Sequence, residues 1–193
     1  MGAITAALDY DAELMLRVKD GDGASFAILL EKHRSPVVHF LYRMVQNQAI
    51  AEELAQEAFL RVYRSRGSYE PTAKFTTWLF RIATHLALNS LRDRKHERSE
   101  ERLDKYPGDV PPRQVPDRSP SVEQTMVYEA RFEEVRRAIA ALPHKQRAAV
   151  LMHKYEEMEY SQIAKVLNCS ESAVKSLLFR AYEALRARLA HMA

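Results

Sequence analysis

Near the end of the chain, Ser172, Lys175, Ser176, Phe179 and Arg180 fall at intervals of three, one, three and one. That spacing puts them on one side of a single helix. Two cations, two hydroxyls and an aromatic ring make no catalytic set, because no general base stands beside a nucleophile. They suit a surface of phosphates and base edges, which Lys and Arg contact as cations and Ser as a small donor or acceptor. A second group lies in mid-chain. Thr77, Arg81, His85 and Arg92 repeat at helical intervals, preceded by Lys74 and Tyr69 and interleaved with Phe75, Trp78 and Phe80. Aromatic groups beside a basic track suit single-stranded DNA, since every base offers a stacking face and every nucleotide a phosphate. A third row, Glu53, Gln56, Glu57 and Leu60, is acidic and polar with one apolar member. It reads either as a solvated face or as a protein-docking face.

The first group needs a particular scaffold. In the stretch YSQIAKVLNCSESAVKSLLFRA (residues 160–181), Ile163, Ala164 and Leu167 mark the inner face of a short helix. Asn168 tolerates the left-handed conformation of a tight helix exit, and Ser170 can cap the next helix. There Val174, Leu178, Ala181 and Leu185 form the core stripe, leaving the polar and basic face outside. Helix, tight turn, helix is the geometry that lays a recognition helix in the major groove. The single cysteine, Cys169, sits in that turn as a small apolar filler, and alone it can form no internal disulfide.

The remaining segments also read as helices, with few glycines and no alternating strand pattern. Asp11–Lys19 is followed by a helix through Phe26, Leu29, Leu30 and His33. A separate one through Val37, Phe40, Leu41 and Met44 is expected beyond Pro36. Ile50–Arg64 forms the next, on a core of Ala51, Leu54, Ala55, Ala58 and Val62. After the loop SRGSYEPTAK comes Phe75–Arg94, with Phe75, Leu79, Ile82 and Leu86 inward and Trp78 as a core anchor. Val122–Leu142 and His144–Tyr155, parted by Pro143, precede the helix-turn-helix pair. Five of the eight prolines crowd into residues 107–120, a composition that resists packing. The expected fold is therefore all-α. Two small helical domains, 1–98 and 122–193, flank a Pro-rich linker at 99–121.

At 193 residues and 47% hydrophobic, the chain can bury one fair core or two small ones. The net charge of +3 conceals alternating blocks: −4 over residues 1–57, +6 over 58–98, −4 over 99–134 and +5 over 135–193. Two basic segments imply two contacts with a polyanion, and two acidic ones imply surfaces turned elsewhere. The opening MGAITA has Ala6 where a myristoylation signal needs Ser or Thr, and no run reaches about 18 uncharged apolar residues. A cytoplasmic protein without membrane contact of its own is expected. Neither GxxxxGK[ST] nor HExxH occurs, and the seven histidines are scattered. The expectation is a protein with no catalytic residues, no metal and no cofactor. A two-domain helix-turn-helix regulator acting without polymerase would also account for the C-terminal motif.

Three blocks in order, AEELAQEAFLRVYR (51–64), FTTWLFRIATHLALNSLRDRK (75–95) and the run from Ala141 to Arg186, resemble the extracytoplasmic-function (ECF) sigma factors, the small promoter-specificity subunits of bacterial RNA polymerase. The resemblance implies a first domain that docks on the polymerase clamp through Glu53, Gln56, Glu57 and Leu60. It implies capture of the open minus-ten strand by the Arg66–Lys74 loop and the exposed face of the next helix, hence by Tyr69, Lys74, Thr77, Arg81, His85 and Arg92. It further implies minus-thirty-five contacts from Ser172, Lys175, Ser176, Phe179 and Arg180. The partners implied are core RNA polymerase at its clamp and flap, promoter DNA and an anti-sigma factor. The chain departs from the family pattern at His85, where Asn is usual, and at Leu177 and Tyr182, where Arg is usual.

Overall fold

The computed structural model describes residues 9–100 and 122–192. The first helices begin at side-chain caps, which satisfy amides that lack a partner at a helix start. Asp9 Oδ1 accepts from the Ala12 amide at 2.7 Å to open α1 (Tyr10–Lys19). Asp22 accepts from the Ala24 and Ser25 amides to open α2 (Gly23–Val45), and Asn47 accepts from the Ile50 amide at 3.0 Å to open α3 (Gln48–Arg64). Gly21, at φ +100°, supplies the left-handed residue in the α1–α2 turn.

One expected break is absent. α2 runs through Pro36 as a single helix. The ring removes one intrahelical hydrogen bond, a cost of about 3 kcal/mol in an ordinary interior. Opposing it, Leu29, His33, Val37, Phe40, Leu41 and Met44 share one buried stripe on both sides of the proline. Breaking the helix would turn half of that stripe out of the core.

A 3-10 turn (Arg66–Ser68) and an extended loop lead to α4 (Phe75–Glu100), six residues longer than its sequence periodicity suggests. The second half holds α5 (Val122–Ala140), α6 (His144–Lys154), α7 (Tyr160–Leu167) and α8 (Glu171–Leu189), then a 3-10 turn at Ala190–Met192. Pro143 stands at the α6 N-cap, where its missing N–H costs nothing. The described residues contain helices and no strand, so the all-α expectation holds. Of the expected linker, residues 99 and 100 close α4, and 101–121 lie outside the described residues.

The halves do not stand apart. One contiguous apolar core runs from Leu14 and Phe40 through Leu79 and Ala83 to Leu151, Ile163 and Leu178. α7 packs on α4, while α5 and α6 pack on α2. Arg147 of α6 is buried and donates to the Met44, Ala140 and Leu142 carbonyls, thereby capping the ends of α2 and α5. Arg136 donates to Tyr42 Oη at 2.9 Å and Gln46 Oε1 at 3.0 Å, and the Arg43 guanidinium lies 4.1 Å from the centre of the Tyr155 ring.

Candidate nucleic-acid interfaces

The C-terminal motif forms as its punctuation dictates. Asn168 takes φ 50°, ψ 55° and ends α7, and two residues on Ser170 Oγ accepts from the Ala173 amide at 3.1 Å to start α8. Val174, Leu178 and Ala181 are buried, which fixes the rotation of α8 about its axis. Ser172, Lys175, Ser176, Phe179 and Arg180 are consequently all exposed on the other side. Ser176 Oγ donates to the Ser172 carbonyl at 3.0 Å, so its lone pairs face outward as acceptors. Phe179 is 68% exposed between two cations, Lys175 and Arg180. Glu183 pairs with Arg186, and no ion pair among the described residues neutralises Lys175 or Arg180. This face can read a major groove.

The mid-chain group divides. Lys74, Arg81, His85 and Arg92 are exposed and form a basic track down α4. Tyr69 and Thr77, expected to join them, are each only 3% exposed. The Tyr69 ring lies 4.9 Å from Trp78 and 6.5 Å from Phe75, and burial pushes its phenol up to about 12. It anchors the loop inward and offers no face to a base in this arrangement. Thr77 is covered by the other half, where Gln162 Nε2 lies 3.4 Å from its Oγ1. Gln162 is held there because its Oε1 accepts from the Glu159 amide at 2.9 Å at the start of α7. Periodicity within α4 cannot reveal a cover supplied by a helix 85 residues away. Conversely, the loop tip exposes Glu70 and Thr72 beside Lys74. Sequence reasoning named neither singly, although both flank Pro71 in a loop already marked as a contact.

On α3, Glu53, Gln56 and Leu60 are exposed, Leu60 by 47%, and Glu57 is half-buried with an ion pair to Arg61 at 2.7 Å. Leu54, expected in the core, is only partly buried, and Phe59 fills the inner face instead. Tyr63 extends the exposed apolar strip one turn further. Among the described residues no cluster of His, Cys, Asp or Glu could hold a metal, and no helix is long and apolar enough to cross a membrane.

Two family models match this chain: Sigma-70 region 2 over residues 29–97 and Sigma-70, region 4 over residues 132–185. The RNA polymerase sigma-H factor of Pseudomonas aeruginosa is 32% identical over 182 residues, covering 92% of each chain. The ECF RNA polymerase sigma factor SigW of Bacillus subtilis is 31% identical, covering 90% of this chain and 93% of its own. The RNA polymerase sigma factor CarQ of Myxococcus xanthus is 34% identical, covering 92% and 97%. Among solved structures, CnrH in complex with the cytosolic domain of CnrY superposes at a TM-score of 0.67 with 20% identity, covering 95% of this chain and 99% of that one. The sigma factor RpoE of Bartonella quintana, in complex with the anti-sigma factor NepR, gives the same score and identity over 85% and 96%. At that identity the two structures speak to the fold.

Proposed function

This chain belongs to the ECF family of RNA polymerase sigma factors, and from that premise we propose which of its surfaces does which part of the work. As a sigma factor it directs core polymerase to promoters and takes part in opening the minus-ten element. It is a transcription initiation factor. The exposed face of α8, through Ser172, Lys175, Ser176, Phe179 and Arg180, meets the minus-thirty-five duplex with base-edge and phosphate contacts. The tip at Glu70–Lys74 and the track Lys74, Arg81, His85 and Arg92 hold the unpaired minus-ten strand. Stabilising bases once they leave the stack favours melting without any nucleotide hydrolysis, most easily at a flexible pyrimidine–purine step. The row Glu53, Gln56, Glu57 and Leu60 docks on the polymerase clamp. The single observation that carries this division is that two exposed basic faces lie in two separate segments, one within each matched region, with Arg92, paired to Asp93 at 3.3 Å, the one cation of the two tracks that has an ion-pair partner among the described residues.

The Bartonella RpoE is bound to the anti-sigma factor NepR, and CnrH to the cytosolic domain of CnrY. We assign this chain an anti-sigma partner of the same kind, and a cytoplasmic place of work beside polymerase. The docking row supplies the test. Reversing Glu53 and Glu57 to arginine removes at most about 1 kcal/mol if the row is merely solvated. Against a complementary partner, like charges cost several kcal/mol. The double variant is expected to keep its helical content and thermal midpoint, lose co-purification with core polymerase and fail in promoter-dependent transcription. Unchanged core affinity would refute the docking assignment.

A further inference from the structure

The region-two match begins at residue 29, so α1 lies outside it, and none of the surfaces assigned above uses this helix. Yet α1 is tied down at both ends. Near its start Asp11, 7% exposed, takes Lys32 Nζ at 2.7 and 2.9 Å and faces His33 Nε2 at 2.9 Å, both on α2. At its last residue, Lys19 donates Nζ to the Tyr69 carbonyl at 3.0 Å, across 50 residues of sequence. Between the two ties Leu14, Met15 and Val18 are buried, and the helix packs on α2, on α4 and on the Arg66–Ser68 turn.

Among the described residues, the loop that Lys19 reaches has little else to hold its backbone. The Tyr69 amide donates to the Arg66 carbonyl at 3.2 Å, and the Thr72 amide donates to the Glu70 carbonyl at 2.8 Å. Both bonds are local, so they shape the loop but do not fix it to the body. Tyr69 is the point where it is fixed. Its ring is held by Phe75 and Trp78, and its carbonyl by Lys19. Immediately after it the chain turns outward into the exposed tip at Glu70–Lys74. One ammonium therefore holds the backbone atom from which the tip departs, and α1 transmits that position from the α2 scaffold.

We propose that Lys19 is a positioning residue for minus-ten recognition, with α1 as the brace that sets where the Glu70–Lys74 tip meets the captured strand. The inference rests on the assignment of that tip to the minus-ten strand. Without the Lys19 bond the tip keeps its side chains and loses its fixed point of departure. Selectivity among minus-ten sequences then falls, while core docking and minus-thirty-five recognition, which lie on α3 and α8, remain as they were.

The test uses the full-length protein with core polymerase on promoter libraries randomised separately at each element. Lys19→Met is expected to reduce discrimination between the preferred minus-ten sequence and single-base variants about two- to tenfold, the range set by the net worth of one hydrogen bond. Minus-thirty-five preference and co-purification with core should stay unchanged, the thermal midpoint should fall by no more than a few degrees, and Lys19→Arg should restore most of the discrimination. Unchanged minus-ten discrimination in Lys19→Met overturns the proposal, as does an equal loss across both libraries, which marks a general structural role. Thr72→Ala and Lys74→Ala run in parallel. If they shift minus-ten preference and Lys19→Met does not, the brace is wrong and the tip assignment stands. If none of the three shifts it, the tip assignment falls and the brace with it.

Discussion

Tyr69 shows how a residue can look like a contact and act as an anchor. Its hydroxyl is buried without a hydrogen-bond partner among the described residues, an arrangement that costs about 1–3 kcal/mol. Tyr69→Phe removes the orphaned group and keeps the ring between Phe75 and Trp78. It is expected to hold or raise the thermal midpoint and leave minus-ten preference unchanged in promoter-library transcription. A stacking role through this ring would instead demand an exposed face, which Tyr69 does not have. Glu156 carries a second consequence at this scale. Burial between the halves pushes its carboxyl from 4.5 up to about 7, with Arg43 pulling the other way. A carboxyl raised on folding binds its proton more tightly in the folded state. The stability it contributes is therefore full below about pH 4.5 and is lost as pH rises through about 7. Between pH 5 and pH 8 the thermal midpoint should fall more in the unmodified protein than in Glu156→Gln, and parallel curves would show that Glu156 is not the group responsible.

At the scale of elements, the α7–turn–α8 unit depends on two residues of opposite kind. Ser170 works through its side chain, and Asn168 through its backbone at φ 50°. Asn168→Gly keeps access to that conformation and should be nearly neutral, whereas Asn168→Val should lower stability by about 1–2 kcal/mol in denaturant unfolding. An equal cost for both would place the value of Asn168 in its side chain. These signals are local, and for that reason the helix-turn-helix pair, the exposed strip of α8 and the helical character of the other elements are legible in the sequence. Where the reading failed, a distant neighbour had overruled a local rule. Pro36 marks a helix break by its own chemistry, yet the buried stripe from Leu29 to Met44 keeps α2 whole. Thr77 lies in register with Arg81 and His85, yet α7 covers it and leaves the other two exposed. No periodicity within one helix carries information about which of its faces another helix will take.

The whole molecule buries polar groups across the contact between its halves, and their chemistry differs from that of a dry interface. Arg147 is only 6% exposed and donates to carbonyls alone, with no carboxylate among the described residues beside it; burial holds its guanidinium below the usual range. The ends of α2 and α5 supply the negative dipole ends that make this tolerable. Arg147 caps α5, Arg136 pairs with Glu133 and Gln162 caps α7, all within their own half, so weakening the contact selectively calls for changes on the other side, at Tyr42, whose hydroxyl accepts from Arg136, or at Thr77, which faces Gln162. The last of these contacts has a consequence best put in base pairs. The names of the two promoter elements place their centres about 25 base pairs apart, or about 85 Å of duplex at 3.4 Å per step. With Gln162 against Thr77, helical and extended rises allow Lys175 and His85 a separation of no more than about 50 Å. Duplex DNA has a persistence length of about 150 base pairs, and folding so short a piece back on itself is expensive. If Lys175 and His85 meet the elements proposed for them, the packed molecule can lie along one element or the other. To span both it would have to come apart, and whatever holds the halves together would be subtracted from its affinity for a promoter.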